Sequence, residues 1–466
     1  MMGKQNTQLQ MIILDMDAMI PPSHLLKKID QIVDFSFIYE RAAGLYATNG
    51  RPSIDPVVLI KMLLIGYMYG IKSERRLEQE VNLNIAYRWF CGLQLTDRVP
   101  DHSTFSQNRR RRFRTSDIFQ EIFYEIVRQC IDQGLVDGEY TVCDGSFLPA
   151  EVSRSSHTTI ETTIRKSMQS YLDVLDEELA AQPGYKLVGE QSVVIDRATS
   201  KTDPDCGFMH KGKKSGMGYL VETTVDCSHG IITGVDVYPA NQKESSIVLK
   251  HLEKQILANG LKIKRIALDG GYDVGAVHRG LELMGIEGYI PAIPFSNTPE
   301  KQGFVYQPHD DCFVCPQGQT INYDKLYCVR TTGNFLRCYL AARETCQKCP
   351  QKLPCLGKEK RRRILASSFY PAFNRGHERA KGLLYDKMMR LRAIWSEGTF
   401  SVLKREHKMK TIQKRGIVNA REECLLASIA LNLKRMVKAL PDKLKYGLSL
   451  VFCLGFMFPI SQRSTH

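Results

Sequence analysis

The stretch EYTVCDGSFL, Glu139 to Leu148, decides how the rest of the chain is read. Its β-branched and apolar residues predict a buried strand that ends near Asp144, with Gly145 behind it. A second stretch, KIKRIALDGGYD from Lys262 to Asp273, repeats the design, with a strand ending at Asp269. Between them lie two further strand patterns, GYLVETTVD (218–226) and GIITGVDVYPA (230–240), joined by the turn-forming CSHG. The helix pattern KESSIVLKHLEKQILANG (243–260) follows. The order is strand, insertion, strand, strand, helix, strand, and then the helix VGAVHRGLELMG and the strand EGYIPAI. A mixed α/β sheet is expected. The insertion at 158–182 reads as helical, and the polar DRATSKTDPDC (196–206) as a loop.

A third carboxylate enters from a helix. In AIWSEGTFSVLKREHKMK, Ala393 to Lys410, Ile394, Phe400, Val402 and Leu403 offer one broad apolar face, yet Glu397 stands among them. Its partner is either a nearby Arg or Lys, or a metal ion held jointly with other carboxylates. Asp144 and Asp269 at strand ends and Glu397 on a later helix packed across the same sheet edge would converge. Three oxygen donors suit hard divalent ions, and two such ions about 4 Å apart serve phosphodiester chemistry. Asp before Gly is common in turns, so each aspartate alone is weak evidence and the set is more specific than its members.

The 466 residues, 43% hydrophobic, suffice for a sizeable core and two or three domains. Lys plus Arg number 64 against 50 Asp plus Glu, a net charge of +14 that points to polyanions. The first residues lack the pattern of a signal peptide, which places the protein in the cytoplasm, with no membrane role. The apolar run Tyr446 to Ile460 falls short of a spanning helix. Packing or a frayed end is expected of it.

Upstream of Tyr140 the patterns are helical: 51–71 with capping and proline signals at Ser53 to Pro56, then 73–93 and 116–134. PDHSTFSQNRRRRFR (100–114) predicts a short helix capped by Ser103 or Thr104 that ends in Arg109, Arg110, Arg111, Arg112 and Arg114. This run is either a solvated face or part of a phosphate-contacting helix-turn-helix variant. Tyr87, Trp89 and Phe90 are expected in a helix core rather than stacked on bases. His102 is placed in capping or local hydrogen bonding, with DNA contact as the alternative.

Seven of the fourteen cysteines fall between Cys312 and Cys355. CFVC and CQKC are C-x-x-C pairs, and a two-residue spacer lets two thiolates reach one tetrahedral ion. The preferred zinc set is Cys315, Cys346, Cys349 and Cys355, with Cys312 competing and free thiols as the alternative.

With these motifs in hand, the chain resembles a bacterial insertion-sequence transposase of the DDE class, of the branch with a helical N-terminal domain and a cysteine-bearing insertion. GRPSIDPVVLIKMLLIGYMYGIKSERRLEQEV and PDHSTFS are similar to that branch's N-terminal domain. CDGSF and ALDGGYD resemble its two Asp motifs, and RAIWSEGTFSVLK with QKRG its Glu helix. The resemblance implies an RNase H-like catalytic domain, Asp144, Asp269 and Glu397 as ligands of two Mg²⁺ or Mn²⁺ ions, and Lys404 holding phosphate. The wider family signature has Tyr and Arg seven and four residues before the Glu, where this chain has Arg390 and Ala393; Arg392 is carried over in the Arg's place. Cleavage and strand transfer at terminal inverted repeats, into double-stranded target DNA, by a homodimer are implied. Phosphate contacts are expected from Arg109 to Arg112, Arg114, Lys404, Arg405, Lys408 and Lys410. The rival readings are a zinc-containing DNA-binding regulator, a domesticated relative without activity, and a nuclease that hydrolyses DNA without joining it.

The expected domains are a helical DNA-binding domain at 1–138 and a catalytic domain at 139–300, with the helical insertion at about 155–185. A zinc-ribbon-like insertion follows at 301–365, then the rest of the catalytic domain with the Glu helix at 366–440, and a divergent tail at 441–466.

Overall fold

The computed structural model describes residues 14–47, 49–50, 53–71, 73–153, 157–166, 172–185, 191–211, 214–293, 299–329 and 334–440. The tail 441–466 lies outside them. Two compact units result, one of Met1–Gln129 with Glu406–Lys408 and Ile429–His466, the other of Cys130–Arg405 with Met409–Ser428. No helix among the described residues is long and apolar enough to cross a membrane.

The first unit is helical. Its central helix, Pro56–Met68, is apolar nearly all round and carries nine buried residues, as a helix without a polar face must. Asp55 caps it by accepting from the backbone N–H of Val57 and Val58, with Pro56 in the first turn. Phe90 and Tyr87 pack in the core, Phe90 edge-on to Phe35 at 5.9 Å and Tyr87 against Tyr69 at 5.0 Å. The helix His102–Asn108 is capped by Asp101, which accepts from Ser103 N, and not by Ser103 or Thr104. The helix begins two residues earlier than a Ser103 cap would start it, because the Asp101 carboxylate takes the backbone N–H of Ser103 itself. His102 is bound locally, its Nδ1 2.8 Å from Glu78.

The second unit is built on one mixed sheet. Its strands in chain order are β1 (Thr141–Pro149), β2 (His157–Lys166), β3 (Gln191–Ser200), β4 (Gly207–Lys211), β5 (Lys214–Asp226), β6 (Ile232–Pro239), β7 (Arg265–Ala267) and β8 (Glu287–Tyr289). The sheet runs β4-β5-β1-β7-β8, with β6 on β5. β1 pairs antiparallel with β5 and parallel with β7, and β7 runs parallel to β8. Val142, Leu220, Val221, Ile266 and Ala267 are fully buried in it, which fixes the register through the apolar residues.

The segment read as a helical insertion is different. β2 and β3 form an antiparallel ladder from His157↔Ser200 to Lys166↔Gln191, and among the described residues between them Asp173–Ala180 is helical. The Thr- and Ile-rich HTTIETTIRK is β-branched at six of its ten positions, and that preference outweighs the helical spacing farther along. The residues read as a loop from Asp196 belong in part to β3.

The cysteine-bearing stretch makes its own sheet. β9 (Val305–Gln307), β10 (Cys312–Val314), β11 (Thr320–Val329), β12 (Asn334–Ala341) and β13 (Arg363–Ser367) pair in sequence, all antiparallel. Phe313, Ile321, Tyr339 and Ile364 form its core, with Phe313 edge-on to Tyr339 at 5.0 Å. Two short helices, Arg343–Gln347 and Lys352–Leu356, are inserted between β12 and β13 and carry Cys346 and Cys355.

Candidate active site

The register of two neighbouring strands sets the site. Val142 of β1 is paired with Ala267 of β7 in parallel, so two residues farther on Asp144, within β1, and Asp269, past the end of β7, come side by side; β1 does not end near Asp144 but runs on to Pro149, held by its antiparallel pairing with β5. Asp269 lies past the end of β7, where it caps the short turn Gly270–Tyr272 by accepting from Gly271 N at 2.6 Å. Burial, then the charge of Asp269, lifts the Asp144 carboxyl to about 7; Arg392 lowers it and Glu244 raises it further.

Glu397 comes from the other side. It closes a π-helical turn, Ala393–Glu397, between the helices Tyr385–Arg392 and Gly398–Glu406. A π turn has i→i+5 hydrogen bonding, so a residue five positions before Glu397 shares its face, where an α-helix would need four. Arg392 is that residue. Its guanidinium lies 4.0 Å from Asp144 and 4.0 Å from Glu397, and its Nε is buried without a partner among the described residues. Trp395 anchors the turn by packing on Gly230 of the CSHG turn, where a Cβ would fall 2.1 Å from the indole. The Glu397 carboxylate itself is 68% exposed, open to a ligand.

Lys404 donates from Nζ to Ser146 Oγ at 2.7 Å. Ser146 is two residues past Asp144 on β1 and so on the same face of the strand. The ammonium therefore stands beside Asp144.

Two glutamates complete the group, and neither belongs to the set expected from sequence. Glu244 opens the helix Glu244–Asn259, after β6. Its Oε1 would lie 3.1 Å from a Cβ on Gly145 and its Oε2 3.0 Å from one on Gly271, so this carboxylate fills the space that the two glycines leave. The sequence signal was an acid at the start of a helix just beyond a strand end, which the helix dipole alone also explains. Glu222, paired with Gly145 across β1 and β5, is fully buried. It accepts from Tyr272 OH at 2.6 Å and from the Cys143 thiol at 3.2 Å. Burial lifts it to about 8 against those hydrogen bonds, so it is protonated at neutral pH, beneath the aspartates.

The basic residues are used unevenly. In the first unit Arg109 pairs with Glu74 at 2.6 Å, and Arg112 holds Ser53 and stacks over Tyr46. Arg110, Arg111 and Arg114 are exposed. Lys408 lies over the Tyr67 ring at 4.7 Å. In the second unit Arg405 and Lys410 are exposed.

Among the cysteines, Cys315, Cys346, Cys349 and Cys355 line one cavity of about 470 Å³. Burial and then the neighbouring Cys346, Cys349 and Cys315 raise the Cys355 thiol, with Arg362 opposing. Cys312 is buried in β10 and is not among the residues lining that cavity.

Two family profiles match the chain: Transposase domain (DUF772) over residues 14–111 and Transposase DDE domain over residues 314–437. The second span holds Arg392, Glu397 and Lys404, while both aspartates precede it. The chain belongs to the insertion-sequence transposases of the DDE class. No curated protein gives a match. Among solved structures, a piggyBac transposase synaptic complex with hairpin DNA is similar at 11% identity and TM-score 0.29, over 95% of this chain and 87% of that one. The Mos1 strand transfer complex is similar at 9% identity and TM-score 0.17, over 54% of this chain and 62% of that one. Likenesses of this size fix neither fold nor function.

Proposed function

We propose that this transposase cleaves DNA strands at the ends of its element and joins the freed 3′ ends to target DNA, with Asp144, Asp269 and Glu397 as the ligands of two divalent ions. The observation that carries this reading is the gathering of Asp269, Glu244 and Arg392 around Asp144, a crowding of like charge that either a proton or a bound cation relieves. The donor set fits Mg²⁺ or Mn²⁺, being all oxygen, and the glycines at 145 and 271 let the Glu244 carboxylate approach it. Bound there, the ions would activate an attacking oxygen and stabilise a leaving one. The chain's own residues hold the substrate. Lys404 and the unsaturated guanidinium of Arg392 are suited to the phosphates flanking the reacting bond. Glu222, protonated, braces Tyr272 in the turn that carries Asp269.

The sheet order, antiparallel β6-β5-β1 extended past β1 by the parallel β7 and β8, with β4 added on β5, supports an RNase H-like catalytic core. The four cysteines around one cavity support a structural zinc ion on Cys315, Cys346, Cys349 and Cys355, since thiolate donors select it. Double-stranded DNA is the expected partner, met by exposed arginines such as Arg110, Arg111 and Arg114, and the family resemblance implies a cytoplasmic homodimer that pairs two ends.

The test is strand cleavage of a plasmid bearing the gene's flanking DNA, with native protein and Glu397→Gln, with and without Mg²⁺. Metal-dependent nicks at the element's ends, reduced at least ~10³-fold in the variant, are expected, equivalent to about 4 kcal/mol of transition-state stabilisation. DNA that is bound but never cut under any divalent metal would leave a DNA-binding protein without catalysis.

A further inference from the structure

Four residues past Asp269 stands a second cluster of a different kind. Asp273 is buried, and its Oδ1 lies 3.0 Å from His278 Nε2 and 2.9 Å from His377 Nε2. His278 belongs to the helix Gly275–Leu283 and His377 to the helix Tyr370–Arg379. One ligand atom from each of the three residues lies within 4.8 Å of the other two. We propose that Asp273, His278 and His377 form a binding site for one divalent transition-metal ion of the zinc type, which clamps the two helices to the turn that carries Asp269.

The donor set and its dimensions fit that ion. Metal–ligand bonds of about 2.0–2.1 Å in a tetrahedron set ligand atoms roughly 3.3 Å apart, so the observed separations of 2.9 and 3.0 Å need to open by only a few tenths of an ångström. Two imidazoles with one carboxylate favour zinc, cobalt or nickel over magnesium, which seeks oxygen. The surroundings orient the ligands as an outer shell does. Ile293 N donates to Asp273 Oδ2 at 3.0 Å and fixes the carboxylate, with Oδ1 shared by both imidazoles and Oδ2 also 3.1 Å from His377 Nε2. The Phe373 ring stands edge-on to His278 at 5.5 Å and lies 4.1 Å from the His377 ring. His278 also sits against bare backbone, since a Cβ on Gly376 would fall 2.1 Å from its Nδ1. The hydrogen-bonded group of two imidazoles and a carboxylate is the metal-free form of the same arrangement, and each Nε2 gives up its proton when the ion binds.

This site uses none of Asp144, Asp269 and Glu397 as ligands, so it stands whether or not the cleavage reading does. The experiment is zinc counting by elemental mass spectrometry on the full-length protein, for native, His377→Ala and Cys346→Ser. The expected result is the loss of one zinc per chain in His377→Ala, over and above whatever Cys346→Ser loses. Equal zinc in native and His377→Ala, with unchanged circular dichroism, would overturn the proposal and leave an ion-pair cluster. If His377→Ala does not fold, X-ray absorption at the zinc edge of native zinc-loaded protein decides. Imidazole scattering is expected, and scattering from sulfur alone would overturn the assignment.

Discussion

Asp144, half-buried, and Asp273, buried, belong to the same unit and are driven in opposite directions. Burial, Asp269 and Glu244 push the Asp144 carboxyl up to about 7, against Arg392 and the Gly145 backbone N–H. Asp273 is subject to the same burial, which pushes it up, but hydrogen bonds from His278, His377 and Ile293 N outweigh that and hold it at about 2. Burial is common to both, so the neighbours decide. A carboxylate whose charge is already balanced stiffens the fold, while one crowded by like charges is stable in its ionised form only when something positive is added. The first is balanced by the imidazoles that share the cluster proposed above, and the second keeps its proton until a positive group joins it.

The linkage has opposite signs at the two positions. Asp144 holds its proton more tightly in the folded than in the unfolded chain, so the stability it contributes is present in acid, below its ordinary 3.8, and is lost as pH rises through about 7. Asp273 contributes stability above its ordinary 3.8, lost as pH falls through about 2.

The largest effect is expected at the balanced group. Asp273→Asn leaves two imidazoles without their carboxylate, and breaking a buried pair in this way costs roughly 3 kcal/mol. Urea unfolding at pH 7 should show that loss, and the difference from native should shrink below pH 4. An Asn variant as stable as native at pH 7 would break the contrast. The crowded group is sharpened by Glu244→Gln, which removes one of the charges lifting Asp144. The acid limb of the cleavage rate should move to lower pH, and the maximal rate should fall about 10-fold to 100-fold, as for groups next to a metal's direct ligands. An unchanged acid limb would mean that Glu244 serves only the start of its helix.

The sheet was largely legible from its apolar runs, but the Asp-Gly signal marked an exit only after β7, since β1 carries Asp144 in its interior and continues to Pro149. Asp144 and Asp269 followed from that pattern, and the parallel register of Val142 with Ala267 supplies the physical reason for their adjacency. Arg392 was legible only by analogy, one residue out of place for an α-helix. The π turn that restores it to the face of Glu397 depends on tertiary packing, including Trp395 against Gly230, and no local pattern announces it. Glu244 was hidden behind an ordinary helix-start acid. Asp273, His278 and His377 span 104 residues, and only the packing of two helices brings the last of them to the first. The β2–β3 ladder was misread because a β-branched run was joined to a genuine helix farther on.

The measurement that tests the central claim most directly is Mn²⁺ binding at pH 8, followed by calorimetry and electron paramagnetic resonance, on native protein and Asp269→Asn. The Asn side chain keeps the acceptor for Gly271 N, so the turn survives while one charged ligand is lost. The account predicts paired, magnetically coupled Mn²⁺ in the native protein and loss of that pair in the variant. Equal Mn²⁺ binding by both proteins, with the same spectrum, would contradict it and return the crowded carboxylates to the status of buried acids that share protons.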